Sequence, residues 1–255
     1  MGIPDPADIP YLCTTKTPAD MAYNESDARL LTPSMKLADL LDLNCNLIGV
    51  LSRTGIPFGF GDETVEEACR KHGINVQTFL LICQVYTFDG YMPSSEVLRS
   101  ADLRDIVGYL RRSHAYYMDI AMKDLAESVE RAIAPCDERR KHVIRQFFTA
   151  YKEELSEHFR YEEETVFPYV ESVLSHAAGE DFTIIQYEEN HTNVEEKLGD
   201  LKNIIMKYLP AECDNRHIAD VLFRLYLLET DLEKHTSIED DILVPVVNRL
   251  EIHER

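Results

Sequence analysis

Basic residues are scarce in this chain: 26 Lys and Arg stand against 46 Asp and Glu, a formal net charge of −20 over 255 residues. That balance opposes binding to phosphate backbones and anionic lipid and favours solubility, so neither nucleic acid nor a membrane is expected as a partner. Long hydrophobic runs are missing too. Leu40-Leu41 and Leu47-Ile48 are interrupted by Asp42, Asn44 and Asn46, well short of the roughly 18 uninterrupted apolar residues of a spanning helix. The six cysteines (Cys13, Cys45, Cys69, Cys83, Cys136, Cys213) include no Cys-x-x-Cys pair. With no recognisable secretory signal, this reads as a cytoplasmic protein with mostly ordinary thiols. Pro6 stands where a myristoylation signal beginning Met1-Gly2 would carry Ser or Thr, so no lipid anchor is expected.

What is present divides into three parts. Residues 1–34 hold Pro4, Pro6, Pro10, Pro18 and Pro33 with little hydrophobic periodicity and suit an extended arm. Residues 35–88 read as a small helical module. Leu37, Leu40 and Leu41 and then Ile48 and Leu51 are spaced for one helix face; Gly55 to Gly61 form a turn; Thr64-Val65-Glu66-Glu67 is a capping box, and Gly73 stops its helix. A turn-rich linker at 89–94 leads to four long helical patterns at 101–133, 138–176, 182–208 and 215–251. The short breaks at Pro135, Gly179 and Pro210 make neighbours antiparallel. The fold class expected is all-α: an up-down-up-down four-helix bundle over 99–253, preceded by the small module.

An internal repeat carries the chemistry. His114, His158, Glu162 and Pro168 recur as His191, His235, Glu239 and Pro245, each 77 positions later. All six polar residues fall on core stripes of three-and-four spacing, such as Val107, Leu110, His114, Tyr117 or Leu228, Leu232, His235, Glu239. Burying two carboxylates among imidazoles is costly unless cations or a tight hydrogen-bond network compensate. His and Glu one helical turn apart can share a metal or bridge two. The mixed nitrogen and oxygen donor set suits iron, manganese or zinc better than calcium or magnesium. One such His/Glu spacing would mean little in so acidic a chain; two in register mean a good deal. His72, His142, His176, His217 and His253 fall outside the repeat and are expected at the surface or at helix ends. Glu163, Glu164, Asp240 and Asp241 are read as solvated or as hydrogen-bonding to the ligands, and Tyr117, Tyr161 and Tyr187 chiefly as packing.

Through His114, the segment His158-Phe-Arg-Tyr-Glu162-Glu-Glu-Thr-Val-Phe-Pro168, His191 and the segment His235-Thr-Ser-Ile-Glu239-Asp-Asp-Ile-Leu-Val-Pro245, the chain resembles hemerythrin-like proteins, and most of all the repair-of-iron-centres family. The module at 35–88 resembles the domain preceding the bundle in that family, except that Gly59-Phe60 stands where the family carries Cys-Cys. Oxygen-carrying hemerythrins place histidine where this chain has Glu195, and an aspartate where it has Asp240. The resemblance implies two non-haem irons with oxo and carboxylate bridges, manganese or zinc being alternatives. It implies O₂ and NO as small ligands, damaged iron–sulfur proteins as partners, and cluster repair or protection under stress. Gas carriage or sensing, and NO or peroxide reduction, are the competing readings. Symmetry suggests His114 with His158 on one iron and His191 with His235 on the other, Glu162 and Glu239 bridging, while Glu195 or Asp240 could join them. Oligomeric state is left open.

Overall fold

The computed structural model describes residues 31–177, 182–190 and 196–254, and the chain divides into two compact units, Met1–Tyr91 and Met92–Arg255. Among the described residues every regular element is helical apart from a β-bridge between Lys36 and Thr64. No helix there is long and apolar enough to cross a membrane.

The first unit contains α1 (Leu37–Leu43), α2 (Leu47–Thr54), α3 (Val65–His72) and α4 (Val76–Thr87). The capping box forms as expected: Thr64 Oγ1 accepts from the Glu67 amide, and the Glu67 carboxylate accepts from the Thr64 amide at 2.9 Å. Gly73, at φ 69°, closes α3 in the left-handed conformation that a Cβ would strain. Helix α4 is buried on several faces, with Phe79, Leu81, Ile82 and Val85 inside, and packs on α2 and α3. Cys69 and Cys83 are buried.

The second unit begins with α5 (Ser95–Arg99) and continues into the four bundle helices. The first comprises Leu103–Tyr116, a π-helical turn Tyr117–Ala121, and Met122–Ile133. The second comprises Glu138–Tyr161, a π-helical turn Glu162–Val166, and Phe167–Leu174. The third is described over Ile184–Asn190 and Glu196–Tyr208, and the fourth over Asn215–Ile238, a π-helical turn Glu239–Leu243, and Val244–Glu254. Each helix packs on the next and the fourth returns to the first, closing the bundle. Asp102, Asp137 and Asp214 cap the first, second and fourth helices by accepting amide hydrogen bonds from Arg104, Arg140 and Arg216.

The 77-residue repeat continues through the core. Ile144, Phe148, Tyr151 and Leu155 of the second helix and their equivalents Val221, Leu225, Leu228 and Leu232 of the fourth are all buried in one cluster. The polar layer lies part-way along the bundle, with Phe167, Val170, Val246 and Val247 buried on its far side. Pro168 lies in the first turn after a π-helical turn, where an amide would otherwise be missing from the α-helical ladder. The helix therefore continues through it.

Candidate metal centre

Each described ligand candidate sits at or within a turn of a widened helical segment. Glu162 and Glu239 are the first residues of their π-helical turns, and His114 lies three residues before the turn at Tyr117. Side chains spaced four apart drift about 40° per step around an α-helix. A wide turn takes up that drift, so His158, Glu162, Val166 and Val170 stay on the inward side. Such insertions recur at functional sites.

The carboxylates of Glu162 and Glu239 are 0% exposed, and His235 and His114 are 1% and 5% exposed. One ligand atom from each of these four residues lies within 4.8 Å of the others. His114 Nε2 is 3.1 Å from His235 Nε2 and 3.2 Å from Glu162 Oε2; His235 Nε2 is 3.2 Å from Glu239 Oε1. The other oxygen of Glu162, Oε1, is 3.1 Å from His158 Nε2. Glu162 therefore straddles two histidine groups, one at each oxygen. Two imidazole nitrogens 3.1 Å apart cannot both carry a proton toward each other, so a proton or a cation must lie between them. Nitrogen donors beside two buried carboxylates satisfy iron, manganese or zinc. The donor set therefore fits a metal, and these residues are the ones that could hold it.

The hemerythrin HHE cation binding domain matches residues 105–247, more than half of the chain. The chain belongs to this family. It is similar to the iron-sulfur cluster repair protein YtfE of Musicola paradisiaca (strain Ech703), at 23% identity over 192 residues, 72% of this chain and 82% of that protein. No solved structure matches.

Within this hemerythrin bundle the structure brings together five of the six expected residues: His114, His158, Glu162, His235 and Glu239. The sixth, His191, lies outside the described residues, as does Glu195. The distances put His114 beside His235 of the adjoining fourth helix, while Glu162 reaches both His114 and His158. The two-fold repeat still holds, because it converts the pair His114/His235 into His191/His158. Asp240 is half-buried. His72, His142, His176 and His217 are exposed.

The hemerythrin site has a supporting layer, in which Glu163 takes the hydrogen-bonding one of its two expected roles. His114 Nδ1 donates to Glu163 Oε1 at 2.9 Å, and Arg111 faces both Glu163 (3.1 Å) and Glu171 (3.1 Å). This carboxylate fixes the ring so that Nε2 faces the cluster. Phe159 stacks on the same ring at 4.1 Å and Phe167 at 5.5 Å. In the metal-free state burial pulls the His114 pKa down. Hydrogen bonds to Glu162 and Glu163 and the charges of Glu162 and Glu239 outweigh that and raise it to about 9. Arg111 stands one turn before His114, and Glu163 directly after Glu162. That local signal was there, yet it is indistinguishable in sequence from ordinary surface charge.

Of the three tyrosines, Tyr187 touches the cluster, its hydroxyl donating to Glu162 Oε1 at 2.8 Å. Burial, then the charges of Glu239 and Glu162, hold its pKa far above the usual phenol range, so it acts as a donor only. Tyr117 packs edge-on to His235 and donates to the Asp231 carbonyl at 3.2 Å. Tyr161 is 43% exposed.

Proposed function

We propose that the bundle holds two iron ions, His114 and His235 serving one, His158 and His191 the other, with Glu162 and Glu239 between them. We infer from this that the protein repairs or protects iron–sulfur clusters under nitrosative or oxidative stress in the cytoplasm. The observation that carries the reading is the straddling carboxylate: Glu162 offers Oε2 to His114 and Oε1 to His158. A single ion would need only one of those faces. Iron in such a donor set cycles between ferrous and ferric states and accepts small ligands such as O₂ and NO. Around it, Glu163 would orient His114, Tyr187 would hold Glu162 by hydrogen bond, and Phe159 and Phe167 would exclude water from one side. The name of the YtfE relative supports the cluster-repair role.

The test is an anaerobic mixture of the iron-loaded protein with a dehydratase whose cluster has been damaged. Recovered dehydratase activity that is lost with Glu162→Ala supports repair; no recovery by iron-replete protein counts against it. A second reading, reversible gas binding or sensing, is favoured by Gly59-Phe60, where the resembling family carries Cys-Cys. It would show as reversible O₂ or NO uptake with no effect on the dehydratase. Steady consumption of NO or peroxide with an electron donor would instead mark a reductase.

A further inference from the structure

The 77-residue repeat also relates two cysteines: Cys136 and Cys213 occupy equivalent positions, each immediately before the capping aspartate of its helix, Asp137 or Asp214. The segments read Cys136-Asp-Glu-Arg139 and Cys213-Asp-Asn-Arg216. Each cysteine is held by the same backbone turn, Cys136 donating to the Ile133 carbonyl at 2.9 Å and Cys213 to the Pro210 carbonyl at 3.1 Å. Equivalent atoms of a two-fold repeat approach each other only near its axis. Here the two sulfurs meet at 3.6 Å, van der Waals contact.

We propose that Cys136 and Cys213 form a redox-active dithiol, converted to a disulfide by small disulfides of the glutathione class. A sulfur–sulfur bond is about 2.05 Å long, so the pair must close by about 1.5 Å, a movement of two side chains in short turns. Buried cysteines commonly serve as small apolar groups. These two differ in facing each other from matching turns, each joining the two helices of one half of the bundle. One thiol, losing its proton, attacks the small disulfide, forming a mixed disulfide and releasing one small thiol. The second protein thiol, also deprotonated, attacks the mixed disulfide at the protein sulfur and expels the second small thiol. Two protein thiols are oxidised and one small disulfide is reduced to two thiols. Burial, with the neighbouring Cys213 thiol, pushes the Cys136 pKa up to about 11. The first attack is therefore slow, and the second, being intramolecular, is fast.

From Cys136 to His158, and again from Cys213 to His235, is 22 residues, about 33 Å of helix. The bond would thus tie the halves together at the end remote from the metal layer. It closes a loop of 77 residues, and a rise in Tm of roughly 10 °C is expected on oxidation. The experiment equilibrates the full chain in glutathione buffers of graded ratio, traps free thiols by alkylation under denaturing conditions, and maps peptides by mass spectrometry. The expected result is a direct link between the Cys136 and Cys213 peptides, without accumulation of glutathione on either. In Cys136→Ser, glutathione should instead accumulate on Cys213. Wild-type protein in which both residues stay alkylated at the most oxidising ratio, or carry glutathione without cross-linking, would overturn the proposal.

Discussion

At the residue scale, the polar layer depends on partners as much as on the ligand candidates themselves. Glu163→Gln keeps the size of the side chain but removes the charge that orients His114 through Nδ1. Metal affinity, measured by competition with a chelator, should fall about 10- to 100-fold; unchanged affinity would show that His114 is held by the Phe159 stack alone. Glu162→Ala and Glu239→Ala should each reduce bound iron below two per chain, and full retention in both would end the bridging assignment. Tyr187→Phe deletes the hydrogen bond to a fully buried carboxylate. Metal-free stability in a denaturant titration should drop by about 1–3 kcal/mol. The ligand candidates were legible in sequence because two His-x-x-x-Glu spacings fell in register on core stripes. Arg111 was not, Glu163 was read as either solvated or hydrogen-bonding to the ligands, and Tyr187 chiefly as packing, since sequence spacing cannot show which of many charged or aromatic side chains reaches across a helix interface.

At the scale of elements, three π-helical turns follow or begin at the ligand candidates. Each adds a residue to its helix and so resets the inward face. Glu164 is exposed within the second of these turns, so deleting it removes the extra residue without touching a ligand candidate. Circular dichroism should show helix content retained, while bound iron drops, because the backbone that widens around Glu162 would close to an ordinary α-helical turn. Helix positions were read closely from periodicity and breakers: the expected 101–133 and 138–176 are observed as Leu103 to Ile133 and Glu138 to Leu174. The wide turns escaped that reading, since a one-residue insertion leaves the surrounding three-and-four pattern intact on both sides. Pro168 falls in the first turn after the wide turn, and the helix continues through it.

For the whole molecule, charge and protonation set how stability responds to solution conditions. His114 in the metal-free state has its pKa raised to about 9 from 6.5. Its contribution is therefore fully present below about pH 6.5 and is lost as pH rises through about 9, amounting to up to about 3 kcal/mol. Thermal melts of metal-free protein should show Tm falling across that window. Metal-loaded protein, with the ring nitrogen engaged, should show no such fall. A flat metal-free profile would contradict a protonated His114 in the folded state. The net charge of −20 adds self-repulsion, so raising salt from about 10 mM to about 150 mM should raise Tm by shortening the Debye length from about 30 Å to about 8 Å.

By itself the sequence determined the helical class, the division into a small module and a bundle, and the inward positions of His114, His158, Glu162, His235 and Glu239. These follow from local periodicity and from a repeat whose offset can be counted. Tertiary structure decided which groups meet: His114 with His235 of the adjoining fourth helix, Glu163 behind His114, Tyr187 on Glu162, and Cys136 against Cys213. The physical reason is that helical spacing fixes the face a side chain occupies, whereas the pairing of faces depends on how four helices close around a common axis.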